Sequence, residues 1–261
     1  MHKSALCVGI NDYPGVSSDL AGCVNDAKDW AAELQQRGFA VSLLLDGDAS
    51  KQAMVDAIRQ HVDAARANDV VVITYSGHGS WVPDDDGDEP DARDEVLCPH
   101  DIHQGRTLSD DELYALFDER ERGVRIVLIA DSCHSGTVAK APPPLGDDDR
   151  GRTRFLAPET FLTGAALAKA QSRATAPAKP PRPAGGVLMA GCRDTEFSYD
   201  ARFNGKPNGA FSYVALQALK RSPATYRDWF TTIRQSLPSQ NYPQTPQLGG
   251  TRAQQGWPVF N

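Results

Sequence analysis

The chain has no surplus of positive charge, no regularly spaced cysteines and no long apolar run. Its 261 residues include 27 Lys or Arg against 34 Asp or Glu, a formal net charge of −7. A nucleic-acid partner would require a basic face, so that class is excluded as a reading. The acid is instead clustered, most densely at 84–94 and 147–149, which points to cations or basic substrates. Five cysteines with no CxxC suit a reducing compartment better than a disulfide framework. No run approaches the ~20 apolar residues that cross a bilayer. The stretch 5–10 is interrupted by Gly9 and stopped by Asn11-Asp12, too short for a signal peptide with its cleavage site. No Walker A or GxGxxG loop follows any apolar run, which argues against a doubly wound nucleotide-binding protein. The expectation is a soluble cytoplasmic protein that engages neither nucleic acid nor membrane, built as one unit over 1–261 around one core.

What is present is organised around residues 125–137, RIVLIADSCHSGT. An uncharged apolar run, 126–130, stops at turn chemistry, the mark of a strand buried on both faces of a parallel sheet. Residues 69–80, DVVVITYSGHGS, repeat the pattern and end in a histidine between two glycines. Further strands are expected at 4–10, 39–45 and 187–190, with a short edge strand near 247–248 and a hairpin within 79–99. Helical spacing marks 23–36, closed by Gly38, and 50–66, capped by Ser50. Ser109 and Glu112 form a capping box for a helix to about 122, and 210–220 and 223–236 complete the set. Strands alternating with helices predict an α/β fold with a mainly parallel central sheet of about six strands, covered on both faces. Residues 140–186 change composition, with Pro and Asp runs and an Ala/Pro/Lys/Arg-rich stretch. Only 155–167 has apolar pattern enough to pack, so a long mobile insertion is expected there.

If the strands at 70–75 and 126–130 are neighbours, Cys133 and His78 leave the same end of the sheet, where open α/β sheets bind ligands. A thiol attacks as thiolate and needs a base, which the imidazole of His78 supplies. Gly77 and Gly79 allow a bound chain close approach, and Gly79 N–H is free to receive an oxyanion. His134 is a rival base, but adjacent residues of an extended chain point to opposite sides. Cys7, Cys98 and Cys192 read as inert buried thiols. Cys98, His100 and His103 lack a fourth ligand and a recognised zinc spacing.

YSGHGS at 75–80 and DSCHSGT at 131–137 resemble the two catalytic blocks of the metacaspases, caspase-related cysteine peptidases. CVNDA at 23–27, DDDGDEPDARDEVLCPHD at 84–101, LSDDEL at 108–113, VLMAGCRDTEFSYD at 187–200 and GAFSYVALQAL at 209–219 resemble further family segments in the same order. The resemblance spans nearly the whole chain except 140–186. It implies a caspase-like three-layer α/β/α sandwich and an endopeptidase with Cys133 as nucleophile and His78 as general base. The N–H groups of Gly79 and Cys133 would hold the oxyanion. Family members cut after Arg or Lys, through an acidic S1 pocket that maps onto Asp26 and Asp131, with Cys23 and Ser80 lining it. Two carboxylates in a partly dry pocket favour a guanidinium and repel an acidic P1 side chain.

The chemistry needs no cofactor, but the resemblance also implies calcium as an activator, through carboxylates that map onto Asp94, Asp110 and Asp111. A further family aspartate falls on Lys140, a cation that would repel a metal. Residues 84–89 do not follow EF-hand spacing, since Val82 and Arg93 occupy ligand positions. The insertion carries many Arg and Lys residues and is expected to be cut by the enzyme itself. Partners are therefore protein or peptide substrates with Arg or Lys at P1, acted on by a monomer. The competing expectations are a catalytically idle caspase-like scaffold and a related peptidase with another P1 choice.

Overall fold

The computed structural model describes residues 1–16, 18–84, 93–133, 152–173 and 185–261, with side chains at all of these except 169–173. The elements in chain order are β1 (Lys3–Gly9), α1 (Cys23–Gln36), β2 (Ala40–Leu45), α2 (Lys51–Ala64), β3 (Val70–Ser76), β4 (Gly79–Pro83), β5 (Arg93–Leu97), β6 (Leu108–Ser109), α3 (Asp110–Asp118) and β7 (Arg125–Asp131). They continue with β8 (Arg152–Thr153), α4 (Gly164–Arg173), β9 (Val187–Ala190), β10 (Tyr199–Phe203), β11 (Lys206–Gly209), α5 (Ala210–Leu219), α6 (Tyr226–Ile233), β12 (Gln247–Gly249) and α7 (Arg252–Gln255).

The main sheet has six strands in the order β12-β9-β7-β3-β1-β2. All its pairings are parallel except that of the edge strand β12 with β9. Alternation along the central strands divides the interior in two. Leu6, Val8, Val71, Ile73, Ile126 and Leu128 face one apolar core, shared with Met54 and Ile58 of α2 and Leu113 and Phe117 of α3. Ala5, Cys7, Val70, Val72, Val127 and Ile129 face the other, with Trp30 of α1, Phe211 of α5 and Trp229 of α6. This is a three-layer α/β/α sandwich, and continuous β-branched runs are what strands buried on both faces require.

The starts of α2 and α3 follow local chemistry. Ser50 Oγ accepts from Ala53 N, and Ser109 and Glu112 close a reciprocal capping box. Helix α1 has no cap of its own; Asn11 Oδ1, after β1, accepts from Cys23 N at 2.8 Å and Val24 N at 3.3 Å. The start of α1 is thereby pinned to the carboxyl end of the sheet. Gly38, just beyond it, has φ +83°, the left-handed turn that ends a helix.

Two small antiparallel sheets sit beside the main one, β4-β5-β6 and β8-β10-β11. The first contains the hairpin expected at 79–99; the second had no counterpart in the sequence pattern. Part of the expected mobile insertion is also built into the fold. Residues 152–173 pair with β10, bridge to Gly79 and form α4, because Arg154 and Leu156 are buried. Residues 134–151, including His134 and Lys140, and 174–184 lie outside the described residues.

Candidate active site

The pairing of β3 with β7 sets the centre of the site. Ser76 is in register with Asp131. His78 and Cys133 each lie two residues further on, so two remote loops leave adjacent strands at the same level. The ring of His78 is buried, and its Nε2 lies 2.5 Å from Ser18 O. A carbonyl only accepts, so Nε2 carries the proton and Nδ1 is bare. That bare Nδ1 is buried, with no hydrogen-bond partner among the described residues. Burial, with the nearby charge of Arg154, brings the imidazole down to about 4, overriding the Ser18 contact that raises it. The ring is a neutral acceptor at working pH.

Cys133 is buried too, and residue 154 lies against it. Cys133 N and Gly79 N both donate to the carbonyl oxygen of Arg154, at 3.2 and 3.0 Å. Two amides converging on one carbonyl oxygen form the arrangement that stabilises charge developing there. Ser198 N donates to Cys133 Sγ at 2.6 Å. The segment around Arg154 runs through the cleft as an added strand. Thr153 and Arg152 pair antiparallel with Tyr199 and Asp200, and Arg154 N donates to Ser198 O at 2.9 Å.

The Arg154 side chain ends in a closed cage of carboxylates. Its Nη2 meets Asp26 Oδ2 at 2.7 Å and Asp200 Oδ1 at 3.0 Å, and its Nη1 meets Asp131 Oδ2 at 3.2 Å. Nη1 also donates to the main-chain oxygen of Asp131 at 3.1 Å. Burial alone would lower the guanidinium pKa; Asp131, Cys23, Asp26 and Asp200 outweigh it and hold the pKa well above its ordinary value. The carboxylates are held in turn by neutral donors. Asp26 accepts from Asn208 Nδ2 at 2.8 Å and from Gly209 N. Asp131 accepts from Ser212 N at 2.8 Å and from the Ser198 hydroxyl. Asp200 accepts from Ala21 N at 2.7 Å and Gly22 N at 2.9 Å, tying the cage to the start of α1. A Cβ at position 209 would collide with Asp131 and Arg154, so only glycine lets the main chain close this wall. Burial raises the Asp26 carboxyl to about 7 although Arg154 pulls it down. Cys23 is fully buried, its thiol pushed well up by burial.

The structure therefore brings His78, Gly79, Cys133, Asp26, Asp131 and Cys23 to one cleft. Ser80, expected in the S1 lining, turns its hydroxyl to the chain that follows Arg154. Its hydroxyl donates to Leu156 O at 2.6 Å, two residues beyond Arg154. The reason is register: Gly79 bridges in parallel to Phe155, so Ser80, one step along β4, lies alongside Leu156. Asp94 sits in β5, in register with Val82, while Asp110 and Asp111 open α3, where acids complement the helix N-terminus. Among the described residues no group of three or more His, Cys, Asp or Glu could hold a metal ion.

Sequence reasoning did not single out Asp200, Ser198, Asn208 or Arg154. The one available signal was the acid of SYD at 198–200, polar residues beyond strand β9 at the ligand-binding end of the sheet. Among the described residues, no helix is long and apolar enough to cross a membrane.

Known proteins resemble this chain in sequence and in fold. Residues 2–255 match the caspase domain family model. The chain is 33% identical over 292 residues to Metacaspase-1 of Cryptococcus neoformans, covering 95% of this chain and 62% of that protein. It is 32% identical over 283 residues to Metacaspase-1A of Aspergillus clavatus, covering 94% and 65%. It thus spans a little under two thirds of the length of these curated relatives. A crystal structure of a Geobacter sulfurreducens protein superposes with TM-score 0.76 at 31% identity, covering 100% of this chain and 99% of that one. Caspase-1 of Spodoptera frugiperda, 14% identical, shares the fold with TM-score 0.60 over 95% of this chain and 86% of that one. With a family match across the sheet, both strand-end loops and the acidic cage, this chain belongs to the caspase-domain family as a metacaspase-like member.

Proposed function

We propose that the protein is a cysteine endopeptidase that cuts after Arg, and less well after Lys, and that its own Arg154–Phe155 bond is its first substrate. One observation carries this reading: Arg154 lies with its carbonyl oxygen on two convergent amides and its guanidinium in a carboxylate cage. In the reaction, Cys133 Sγ attacks the Arg154 carbonyl carbon while His78 Nδ1 takes the thiol proton. Gly79 and Cys133 N–H hold the oxyanion as the tetrahedral intermediate forms. Collapse breaks the C–N bond, and His78 returns the proton to the Phe155 nitrogen. Water, deprotonated by the same imidazole, then hydrolyses the thioester and frees Cys133.

A foreign substrate would present its own basic side chain to the cage. The planar guanidinium reaches Asp26, Asp200 and Asp131 through two nitrogens at once. A lysine has one ammonium, so Arg substrates should exceed Lys by about tenfold in kcat/KM. All five cysteines are free, in keeping with action in a reducing compartment such as the cytoplasm. The active species is taken to be a monomer that acts on protein or peptide chains. Calcium enters this reading as an activator, tested by comparing cleavage in chelator with cleavage in added calcium.

The deciding experiment incubates wild type, Cys133→Ala and Arg154→Gln and sequences the amino termini of any products. Wild type should yield a chain beginning at Phe155, and neither variant should. An intact wild-type band under both calcium conditions, or the same cut in Cys133→Ala, would overturn the reading and favour an idle scaffold.

A further inference from the structure

The chain in the cleft is held on both sides of the bond to be cut, and the two sides differ. Before Arg154, Arg152 is exposed and Thr153 half-buried, and both are held by main-chain pairing to β10. After it, the grip is tighter. Phe155 bridges in parallel to Gly79, and its ring centroid lies 6.1 Å from that of Phe197. Leu156 N donates to Gly79 O at 3.0 Å, and Leu156 O accepts from the Ser80 hydroxyl at 2.6 Å. The Leu156 side chain is 1% exposed, enclosed in the apolar core that holds Tyr13, Leu97 and Ile102. Leu156 and Pro158 are both buried beyond P1, but of the two Leu156 is the one tied by hydrogen bonds to Gly79 and Ser80, at the second residue after the scissile bond.

Resting on the peptidase reading above, we propose that this enzyme selects substrates on the leaving side, requiring an aliphatic residue at the second position after the cut (P2′). The side chain enters the apolar space that Leu156 occupies, and the Ser80 hydroxyl anchors that residue's carbonyl. The preferred class is then an extended segment with Arg at P1, an aromatic or other large residue next, and Leu or a near relative at P2′. Removing a buried methylene from a pocketed side chain costs roughly tenfold or more in specificity. A carboxylate placed there would lose its hydration with no partner, a larger penalty. Ser80 is a positioning residue in this scheme, contributing one hydrogen bond to the P2′ main chain.

The test uses self-processed wild-type enzyme and internally quenched peptides containing Arg-Thr-Arg-Phe-Leu-Ala-Pro, with Leu replaced by Ala or by Asp. A coumarin amide ending at Arg, with nothing but the dye on the leaving side, is run in parallel. The expected kcat/KM order is Leu above Ala above Asp, at least tenfold from first to last. Ser80→Ala should lower kcat/KM on the Leu peptide by severalfold more than on the coumarin amide. A Ser80 that lined S1 would depress both equally. Equal cleavage of all three peptides after Arg would overturn the P2′ inference while leaving the Arg peptidase standing. No cleavage of any peptide or of the coumarin amide would remove the peptidase reading itself, and the inference with it.

Discussion

The nucleophile and base are assembled in one way and the cage for the basic side chain in another. His78 and Cys133 come from adjacent strands of one parallel sheet, and a single register, Ser76 opposite Asp131, brings them level. The cage draws Asp26 from α1, Asp131 from β7 and Asp200 from β10, and is walled by Asn208 and Gly209 of β11. The first is a property of the main sheet; the second depends on a small side sheet and a helix start docking against it. Chemistry is therefore tied to the main sheet alone, while specificity also draws on the side sheet and the start of α1. Damage to the two should separate in kinetics.

The largest effect is expected at the sulfur. Cys133→Ala should lower kcat on any substrate by about 10⁴-fold or more, with the fold kept, as judged by circular dichroism. Next comes the cage. Removing one member of a buried charge pair costs ~2–5 kcal/mol, so Asp131→Ala or Asp200→Ala should cut kcat/KM on an Arg peptide tens- to thousands-fold. If a Leu- or Gln-ending peptide lost as much, the carboxylate would be serving the chemistry and the separation would fail.

The pH profile sharpens the same contrast. Both His78 and Asp26 must be without a proton, and the folded protein holds them near about 4 and about 7. The group with the higher pKa controls the acid limb, so the cage and not the base should set it. Cleavage of Arg peptides should rise with pH through about 7. Asp26→Asn should lower the rate and abolish that limb. A limb near 7 that survived the substitution would place the titration elsewhere. The same raised carboxyl has a stability sign. The folded state binds this proton more tightly than the unfolded chain, so Asp26 costs stability increasingly as pH rises from ~4 to about 7. The smallest effect is at the helix start: Asn11→Ala should cost about 1 kcal/mol of stability in denaturant unfolding. It should raise KM on Arg peptides more than it lowers kcat, because α1 carries Asp26.

Legibility in the sequence divides along the same line. The buried strands at 70–76 and 125–131 announce themselves through the apolar runs 70–73 and 126–130, and the turn residues after them mark where reactive groups emerge. Asp131 closes the second of those runs and Asp26 lies in CVNDA at 23–27, and the family resemblance reached both. Asp200 closes the segment 187–200 that carries part of that resemblance, yet no role was read from it, because its place in the cage comes from β10 pairing with β8 and β11, and none of these carries a strong apolar alternation. Arg154 was hidden among many basic residues of one compositionally odd stretch. Nothing local distinguishes it; its partners lie at sequence separations of 128, 46 and 23 residues. Ser80 reaches the chain beyond Arg154 because its neighbour Gly79 faces the reacting carbonyl, and a step of one residue along a strand changes what a side chain meets.

The threading of residues 152–156 through the cleft has a kinetic consequence. A tethered occupant competes at an effective concentration on the order of millimolar, so a foreign chain must outlast it before being read at all. Onset of activity should then behave as a clock internal to each molecule: a lag whose length is unaltered by dilution and by the presence of already active copies.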